Sequence, residues 1–167
     1  MAQERTVWGM HAGKTGDAET LFERQGVIAI GWKDVGDLSP LKTRDDFKGA
    51  VARTYPDKKP GAIRNNAGQL YRFVHELAVR DVVVFPLKRE REIWLGEVTG
   101  AYEYNAKLDP GYPNLRRVKW LKRLPRTKFS QGALYEIGSA MSFFQVKNYA
   151  DEFLLSLIHI SEPTRPY

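Results

Sequence analysis

The stretch DVVVFPLKREREIWLGEVTGAYEY, residues 81–104, carries the pattern that decides the fold. Its opening segment Asp81–Leu87 is rich in β-branched and aromatic residues, which is typical of a buried strand. The charged segment Lys88–Arg91 predicts a hairpin turn, and Glu92–Tyr104 returns as a second strand. A third strand is predicted at Arg116–Leu124, where apolar and basic residues alternate. Because no helix separates these three strands, the pattern favours antiparallel pairing.

Other elements surround this central segment without alternating with it. Strands are predicted at Arg5–His11 and Val27–Trp32. The helical signals are an Asp17 cap with a Gly26 stop, a Thr43–Asp46 capping box, the apolar face Leu70/Phe73/Val74/Leu77, a short helix near Ser130–Ile137 and a last helix from Val146. Gly96 and Gly100 are expected at bulges or bends. The order predicts an α+β fold, a curved and mainly antiparallel β-barrel with peripheral helices, and argues against a doubly wound parallel sheet.

Composition narrows the class of protein. At 167 residues a single domain is expected, and the chain contains no cysteine. Disulfides, thiolate zinc sites and a cysteine nucleophile are therefore excluded. His11 and His75 are far apart and have no carboxylate cluster beside them, so no metal site, cofactor or catalytic residue is predicted. No signal sequence or membrane span is evident, which is compatible with a cytoplasmic location.

The C-terminal segment differs in character from the rest. Leu155–Tyr167, LSLIHISEPTRPY, closely resembles the translation of a transposon end used to prepare sequencing libraries. We therefore expect a single domain at residues 1–154 and a non-native tail at residues 155–167. His159 is excluded from functional reasoning for that reason.

Positive charge is concentrated in one segment, LRRVKWLKRLPRTK, residues 115–128. It contains seven basic residues and no acidic one; removing those seven from the 26 basic residues leaves 19, against 20 acidic residues. The net charge of +6 therefore originates here. A surface patch whose charges are all positive usually faces a polyanion, of which nucleic acid is the commonest. The alternative is a solvated strand whose charges serve solubility.

Val7–His11, VWGMH, resembles the opening strand of the EVE domain, a member of the PUA-like superfamily. Pro60–Asn66 followed by Leu70–Phe73 resembles the Arg-Asn element before that domain's central helix. Asp81–Phe85 and Leu95–Val98 resemble its paired barrel strands. The chain departs from that pattern at Arg80, where the family usually has glycine before the aspartate.

The closest resemblance is to the N-terminal module of Mrr-like, modification-dependent restriction proteins. It rests on three longer motifs: GQLYRFVHE at Gly68–Glu76, DPGYP at Asp109–Pro113, and SQGALYEIGSAMSFFQVKNYADEF at Ser130–Phe153. The resemblance covers Val7 to about Leu154. The nuclease domain that such proteins carry further along is absent from this segment, and no nuclease activity is expected of it.

The resemblance implies a reader of duplex DNA that flips a modified base, expected to be a modified cytosine such as 5-methylcytosine, into an aromatic pocket. The residues expected to form the base pocket are Trp8, His11, Trp32, Asn65, Asn66, Ser130 and Gln131. The residues expected to hold phosphates are Lys14, Arg116, Arg117, Lys119, Lys122, Arg123, Arg126 and Lys128. The implied partners are modified double-stranded DNA and a covalently linked nuclease domain, with no membrane partner.

Alternatives remain open for several of these residues. Trp8 and Trp32 could equally be core residues, and Asn65, Asn66 and Ser130 could be helix N-caps. At the level of the whole chain, the same basic and aromatic residues also suit a PUA-like RNA-binding module. A small-ligand or nucleotide sensor is the third hypothesis.

Overall fold

The computed structural model describes residues 5–13, 15–88 and 90–158, which form one mixed sheet with helices against it. The strands in this part of the chain are β1 (Val7–Met10), β2 (Val27–Ile30), β3 (Val82–Pro86), β4 (Glu92–Val98), β5 (Glu103–Tyr104), β6 (Asn114–Pro125) and β7 (Phe143–Val146). The α-helices are α1 (Glu19–Gln25), α2 (Arg44–Thr54), α3 (Pro60–Tyr71), α4 (Gln131–Ile137) and α5 (Ala150–Ile158). Short 3-10 turns lie at Lys33–Val35 and Arg126–Lys128, and a π-helical turn, Arg72–Glu76, continues α3.

The sheet is curled into a half-barrel, which confirms the α+β class and the mainly antiparallel pairing. The strand order is β2-β6-β4-β3-β1-β7, with β5 paired to β6. The predicted hairpin is present as β3 and β4, and β6 is the long strand that β2, β4 and β5 share. One pair is parallel: β1 lies beside β3, with Val7 opposite Val82.

A bulge shapes the centre of the sheet. The register of β4 against β6 shifts between Leu95 and Gly96, as the glycine predicted. A Cβ on Gly96 would lie 2.7 Å from the Trp120 ring, so only glycine lets this indole lie across the strand. The second predicted bend also occurs, because β4 ends at Val98 and the chain pairs again only at β5.

Two of the predicted helix ends, the start of α2 and the end of α1, have the expected cap, and the start of α1 does not. The Thr43–Asp46 capping box is formed at the start of α2. Gly26 ends α1 in the left-handed conformation, with φ 61°. Asp17 does not cap α1: the N-cap is Ala18, and the Asp17 carboxylate instead accepts a hydrogen bond from the Tyr112 hydroxyl at 2.8 Å.

The segment before the C-terminus was predicted wrongly. Instead of a helix beginning at Val146, the chain forms β7, which pairs with β1 so that Gly9 lies opposite Phe144. Phe143, Phe144 and Val146 are all buried, and this burial outweighs any local helical preference. The last helix, α5, begins at Ala150 and continues through Ile158; residues 159–167 lie outside the described residues.

The core has two parts, one on each side of the sheet. The larger one packs α1, α2 and α3 against the sheet through residues such as Phe22, Phe47 and Leu70. The smaller one packs α4 and α5 against it through residues such as Ile137 and Phe153. No helix of the described residues is long and apolar enough to cross a membrane.

Candidate functional site

Three hollows meet at one residue, His11, which follows directly after β1. We call them the tryptophan hollow, the serine hollow and the basic hollow. The tryptophan hollow has a volume of about 190 Å³, and its walls include His11, Gly13, Gly31, Trp32, Tyr112 and Ser142. The serine hollow has about 400 Å³ and is lined by His11, Gly13, Lys88 and residues 138–142. The basic hollow also has about 400 Å³ and includes His11, Lys88, Arg91, Arg126 and Gly138.

Trp32 has a strained backbone. It was predicted to end a strand, but β2 stops at Ile30 and Trp32 adopts the left-handed conformation, with φ 61° and ψ 45°. That conformation costs a non-glycine residue about 1–3 kcal/mol and is concentrated at ligand sites. The indole is half-buried, and an added Cβ at the neighbouring Gly31 would meet nothing within 4 Å. Trp32 and Gly31 therefore both face the tryptophan hollow, although the indole also packs in part against the core.

His11 is electrostatically tuned within its three hollows. Desolvation by burial, followed by the positive charge of Lys88, lowers the pKa of His11 below its ordinary value; backbone hydrogen bonds at Ser139 and Ile137 act in the opposite direction. The imidazole is therefore neutral near neutral pH, with one nitrogen donating and the other accepting. Its Nε2 is buried and has no hydrogen-bond partner among the described residues. A buried polar atom without a partner costs about 1–3 kcal/mol, which a ligand could recover.

Two residues that sequence reasoning missed hold the walls of this region. Tyr112 lines the tryptophan hollow and donates to Asp17, which ties the loop before β6 to the loop before α1. Gln69 is 3% exposed and its Oε1 accepts from the backbone N–H groups of Ser142 and Phe143 at 3.0 and 3.1 Å. Tyr112 lies inside the DPGYP motif, so a signal was present for it. For Gln69 the only signal was its place in the GQLYRFVHE motif.

The basic residues beside His11 belong only in part to the basic segment at residues 115–128. Lys88, Arg91 and Arg126 line the basic hollow beside His11, and of these only Arg126 belongs to residues 115–128. The β3–β4 turn contributes the other two. Because the hollow is open to solvent and carries positive charge, it suits a phosphate-bearing ligand.

A separate groove lies along β6 itself. It has a volume of about 550 Å³ and includes Arg24, Trp94, Trp120, Lys122 and Arg123. The two indoles are already engaged: Arg123 lies 4.8 Å above the centre of the Trp94 ring, and Trp120 Nε1 donates to the carbonyl of Phe22 at 2.9 Å. Both rings therefore form part of the barrel wall.

Trp8 was predicted wrongly as a pocket residue. It is 3% exposed and stacks on Phe143 with ring centres 4.8 Å apart and an interplanar angle of 8°. Its Nε1 donates to Asp81 at 3.0 Å. β1 pairs with β3 on one edge and with β7 on the other, and Trp8 packs into the larger core from this central position, so Trp8 is a core residue.

The two asparagines lie on α3 and do not contact the hollows. Asn65 is exposed and accepts from the Gln69 side chain at 2.8 Å, one helical turn along. Asn66 is half-buried, and its Oδ1 has no hydrogen-bond partner among the described residues. Neither is an N-cap, because α3 begins at Pro60 after Lys59. The prediction that they line the base pocket is wrong, although Asn65 supports the pocket wall through Gln69.

Ser130 and Gln131 are also away from the hollows. Ser130 is the N-cap of α4: its hydroxyl accepts from Ala133 N–H at 3.2 Å and donates to Glu152 at 2.7 Å. Gln131 is exposed on the first turn of α4. Ser130 is therefore a helix N-cap, which was the alternative to its prediction as a pocket residue.

The basic segment divides into residues that are engaged and residues that face solvent. Arg116 is 3% exposed and donates to the carbonyls of Phe73, Leu77 and Gly100, so its prediction as a phosphate ligand is wrong. Arg117 binds Glu103 through two hydrogen bonds of 3.1 and 3.0 Å, and this arginine lowers the pKa of the Glu103 carboxyl.

The remaining members of the segment are available to different degrees. Lys122 donates to the carbonyl of Ser156 at 2.9 Å, whereas Lys119, Arg123 and Lys128 have exposed side chains. Arg126 is the member that reaches the His11 region. Lys14 lies outside the described residues. Among those residues, no group of three or more histidines, cysteines or carboxylates could hold a metal ion.

The chain resembles several solved structures at low sequence identity. Among solved structures, a hypothetical protein from Leishmania major is 12% identical, with a TM-score of 0.44 and coverage of 96% of this chain and 98% of that chain. The NMR structure of Rpa0253 from Rhodopseudomonas palustris is 12% identical, with a TM-score of 0.43 and coverage of 97% and 99%. Atu2648 from Agrobacterium tumefaciens is 10% identical, with a TM-score of 0.37 and 96% of both chains covered.

No curated protein matches the chain. A family model described as a domain of unknown function, DUF8426, matches residues 8–146, which is most of the chain and includes β1 through β7. The chain belongs to the DUF8426 family.

Proposed function

We propose that this chain is an EVE-like member of the PUA-like superfamily that reads a modified cytosine in duplex DNA by base flipping. The observation that carries the proposal is the tryptophan hollow beside His11. It offers a half-buried indole, an imidazole nitrogen that has no hydrogen-bond partner among the described residues, and an adjoining basic hollow lined by the same histidine. An extruded base needs a stacking surface, a polar edge contact and a place for its backbone phosphates, and these features supply one of each.

The size and energetics of the hollow suit a single base. Its volume of about 190 Å³ is below the roughly 300–1,000 Å³ of pockets for drug-sized ligands. Extrusion of a base costs a few kcal/mol. Stacking on Trp32 returns about 1–3 kcal/mol, and a hydrogen bond to His11 relieves its buried nitrogen. The two gains together are comparable with the cost of extrusion, so a modest contribution from the modification decides whether the base stays out.

The phosphate backbone would follow the basic residues of the basic hollow. Lys88, Arg91 and Arg126 are near enough to His11 to share a hollow with it, so the phosphates flanking a flipped nucleotide would lie there. Lys119, Arg123 and Lys128 extend the positive surface along β6. Such contacts raise affinity for every sequence and make it depend on salt.

The wider setting follows from the same proposal. The chain would act as the cytoplasmic targeting module of a modification-dependent restriction protein, without a catalytic step or cofactor of its own. A nuclease domain linked to it in the full-length protein would cut the DNA.

The test is binding to matched duplexes that carry cytosine or one of several modified cytosines at a single position. We expect tighter binding to at least one modified duplex. Trp32→Gly should abolish this discrimination, because glycine accepts the left-handed backbone and removes only the indole. Trp120→Phe is the matched control: it removes the other half-buried tryptophan, which lies in the β6 groove, and should leave discrimination intact.

Other outcomes favour the other hypotheses. Equal affinity for every duplex contradicts the reader function. Preference for structured RNA in a competition assay would support a PUA-like RNA-binding module. A thermal shift with free modified nucleosides and weak binding to polymers would support a small-ligand sensor.

A further inference from the structure

The shape of the site around His11 bears on which modification is read. The tryptophan hollow and the serine hollow share three wall residues: His11, Gly13 and Ser142. The serine hollow is the larger of the two, with about 400 Å³ against about 190 Å³. A base stacked on Trp32 would therefore have a second, roomier space next to it, adjoining the three residues that the hollows share.

The serine hollow has the wrong chemistry for a methyl group. A single methyl gains about 0.8 kcal/mol when it is fully enclosed by apolar surface. Here the walls beyond the shared residues are Lys88, Gly138, Ser139, Ala140 and Met141, and none of these carries an aromatic ring. Ala140 is exposed to solvent, so this part of the wall does not close over a small group. A methyl in a space of about 400 Å³ would lose most of that gain.

The same walls suit a substituent with several hydroxyl groups. Ser139 Oγ accepts from Met141 N–H at 3.1 Å, which leaves its hydroxyl proton to be donated to a ligand. Ser142 is fixed through its backbone N–H, which donates to Gln69, so its position in the wall is set by a buried side chain. Lys88 also lines this hollow, and its ammonium carries three donor protons.

We infer that the modification read is a bulky, hydroxyl-rich substituent on a pyrimidine, of the size of a sugar, with the ring in the tryptophan hollow and the substituent in the serine hollow. This inference rests on the proposed function and names its ligand class. A glycosylated 5-hydroxymethylcytosine is the probe that matches this description, and 5-methylcytosine is the probe that does not.

The experiment compares four duplexes of one sequence that carry cytosine, 5-methylcytosine, 5-hydroxymethylcytosine or glucosylated 5-hydroxymethylcytosine at one position. We expect the glucosylated duplex to bind at least about tenfold more tightly than the methylated one, which corresponds to about 1.4 kcal/mol. If the methylated duplex binds most tightly, the inference is overturned and the reader function stands. If all four bind equally, or none binds, the reader function itself is overturned.

A variant that fills the serine hollow tests the placement. Gly138 lines this hollow and has φ −83° and ψ 14°, which any residue adopts. An added Cβ would lie 3.4 Å from the carbonyls of Leu134 and Tyr135, an ordinary contact. Gly138→Leu should therefore fold and should lose the preference for the glucosylated over the methylated duplex. Because Gly138 also lines the basic hollow, the readout is the ratio of the two affinities, and any loss common to both duplexes cancels.

Gly61→Leu is the matched control for this substitution. Gly61 is exposed on the first turn of α3, and an added Cβ there meets nothing within 4 Å. It makes the same chemical change away from the hollow, so its ligand preference should equal that of the unaltered protein. An undiminished preference for the glucosylated duplex in a folded Gly138→Leu protein would overturn the inference.

Discussion

Arg116 offers the sharpest test of how the basic segment divides between structure and binding. Its Nη1 donates to the carbonyls of Phe73 and Leu77 at 2.9 and 2.7 Å, and its Nε donates to Gly100 at 2.9 Å. Phe73 lies in the π-helical turn, and Leu77 follows it directly, so the guanidinium joins β6 to an irregular helix end. Burial lowers the pKa of Arg116 to about 10, which still leaves it charged at neutral pH.

Arg116→Met keeps the length of the aliphatic stem and removes these donors. Two carbonyls belong to buried residues, and a buried acceptor that loses its partner costs about 1–3 kcal/mol, which gives about 2–6 kcal/mol in total. Relief from burying a charge offsets part of this cost. We expect a loss of about 3 kcal/mol in the free energy of unfolding, measured as a lower urea midpoint at unchanged slope.

Arg126→Met is the matched control, because Arg126 lines the basic hollow and its backbone makes the contacts of the 3-10 turn. We expect a stability change within about 0.5 kcal/mol. For DNA binding we expect log affinity to fall less steeply with log salt concentration, by about 0.9 in the magnitude of the slope. A stability loss below about 1 kcal/mol for Arg116→Met would refute the structural role, because water would then be satisfying the carbonyls. An equal loss of salt dependence of DNA binding in both folded variants would also refute it, because Arg116 would then be contacting a phosphate.

Three further predictions concern stability. Because the folded pKa of His11 is lowered, stability should fall as the pH drops from about 6.5 toward that pKa, and His11→Gln should remove this part of the pH dependence in urea titrations. Gly9→Ala should lower stability by about 1–3 kcal/mol, because its Cβ would lie 2.3 Å from the Phe144 ring; an unchanged urea midpoint would contradict this packing. Arg80→Gly should raise the thermal midpoint, because Arg80 has φ 85°, which glycine adopts at no steric cost; a lower midpoint would contradict the assignment of strain.

Local signals predicted the parts of the fold that depend on neighbours in sequence. The β3–β4 hairpin, the Gly96 bulge and the Thr43–Asp46 capping box each follow from a few adjacent residues, and the structure confirms them. The departure at Arg80 was likewise visible, and the structure gives that residue the positive φ that glycine favours.

The pairing of strands that are distant in sequence could not be predicted from local patterns. The parallel contact of β1 with β3 joins residues about 75 positions apart, and nothing local announces it. The assignment of Phe143–Val146 as a strand depends on β1 being available as its partner. Local pattern alone placed a helix from Val146 onward and assigned no strand before it.

The same limit explains the outcome for the site residues. Trp8 and Trp32 each adjoin a glycine and were indistinguishable by sequence, yet pairing of β1 on both edges buries Trp8 while the end of β2 leaves Trp32 at a hollow. Arg116 was placed with the other basic residues because charge normally indicates solvent. Three backbone carbonyls from distant segments make its burial possible, and no sequence pattern shows them.

The central claim is that one extruded base lies in the tryptophan hollow, and a crystal structure of the protein with a glucosylated duplex tests it most directly. We expect the modified base out of the helix, stacked on Trp32, with an edge within hydrogen-bond distance of His11 and its phosphates beside Arg91 and Arg126. An unperturbed duplex lying along the groove of Lys122 and Arg123, with the tryptophan hollow unoccupied, would contradict it.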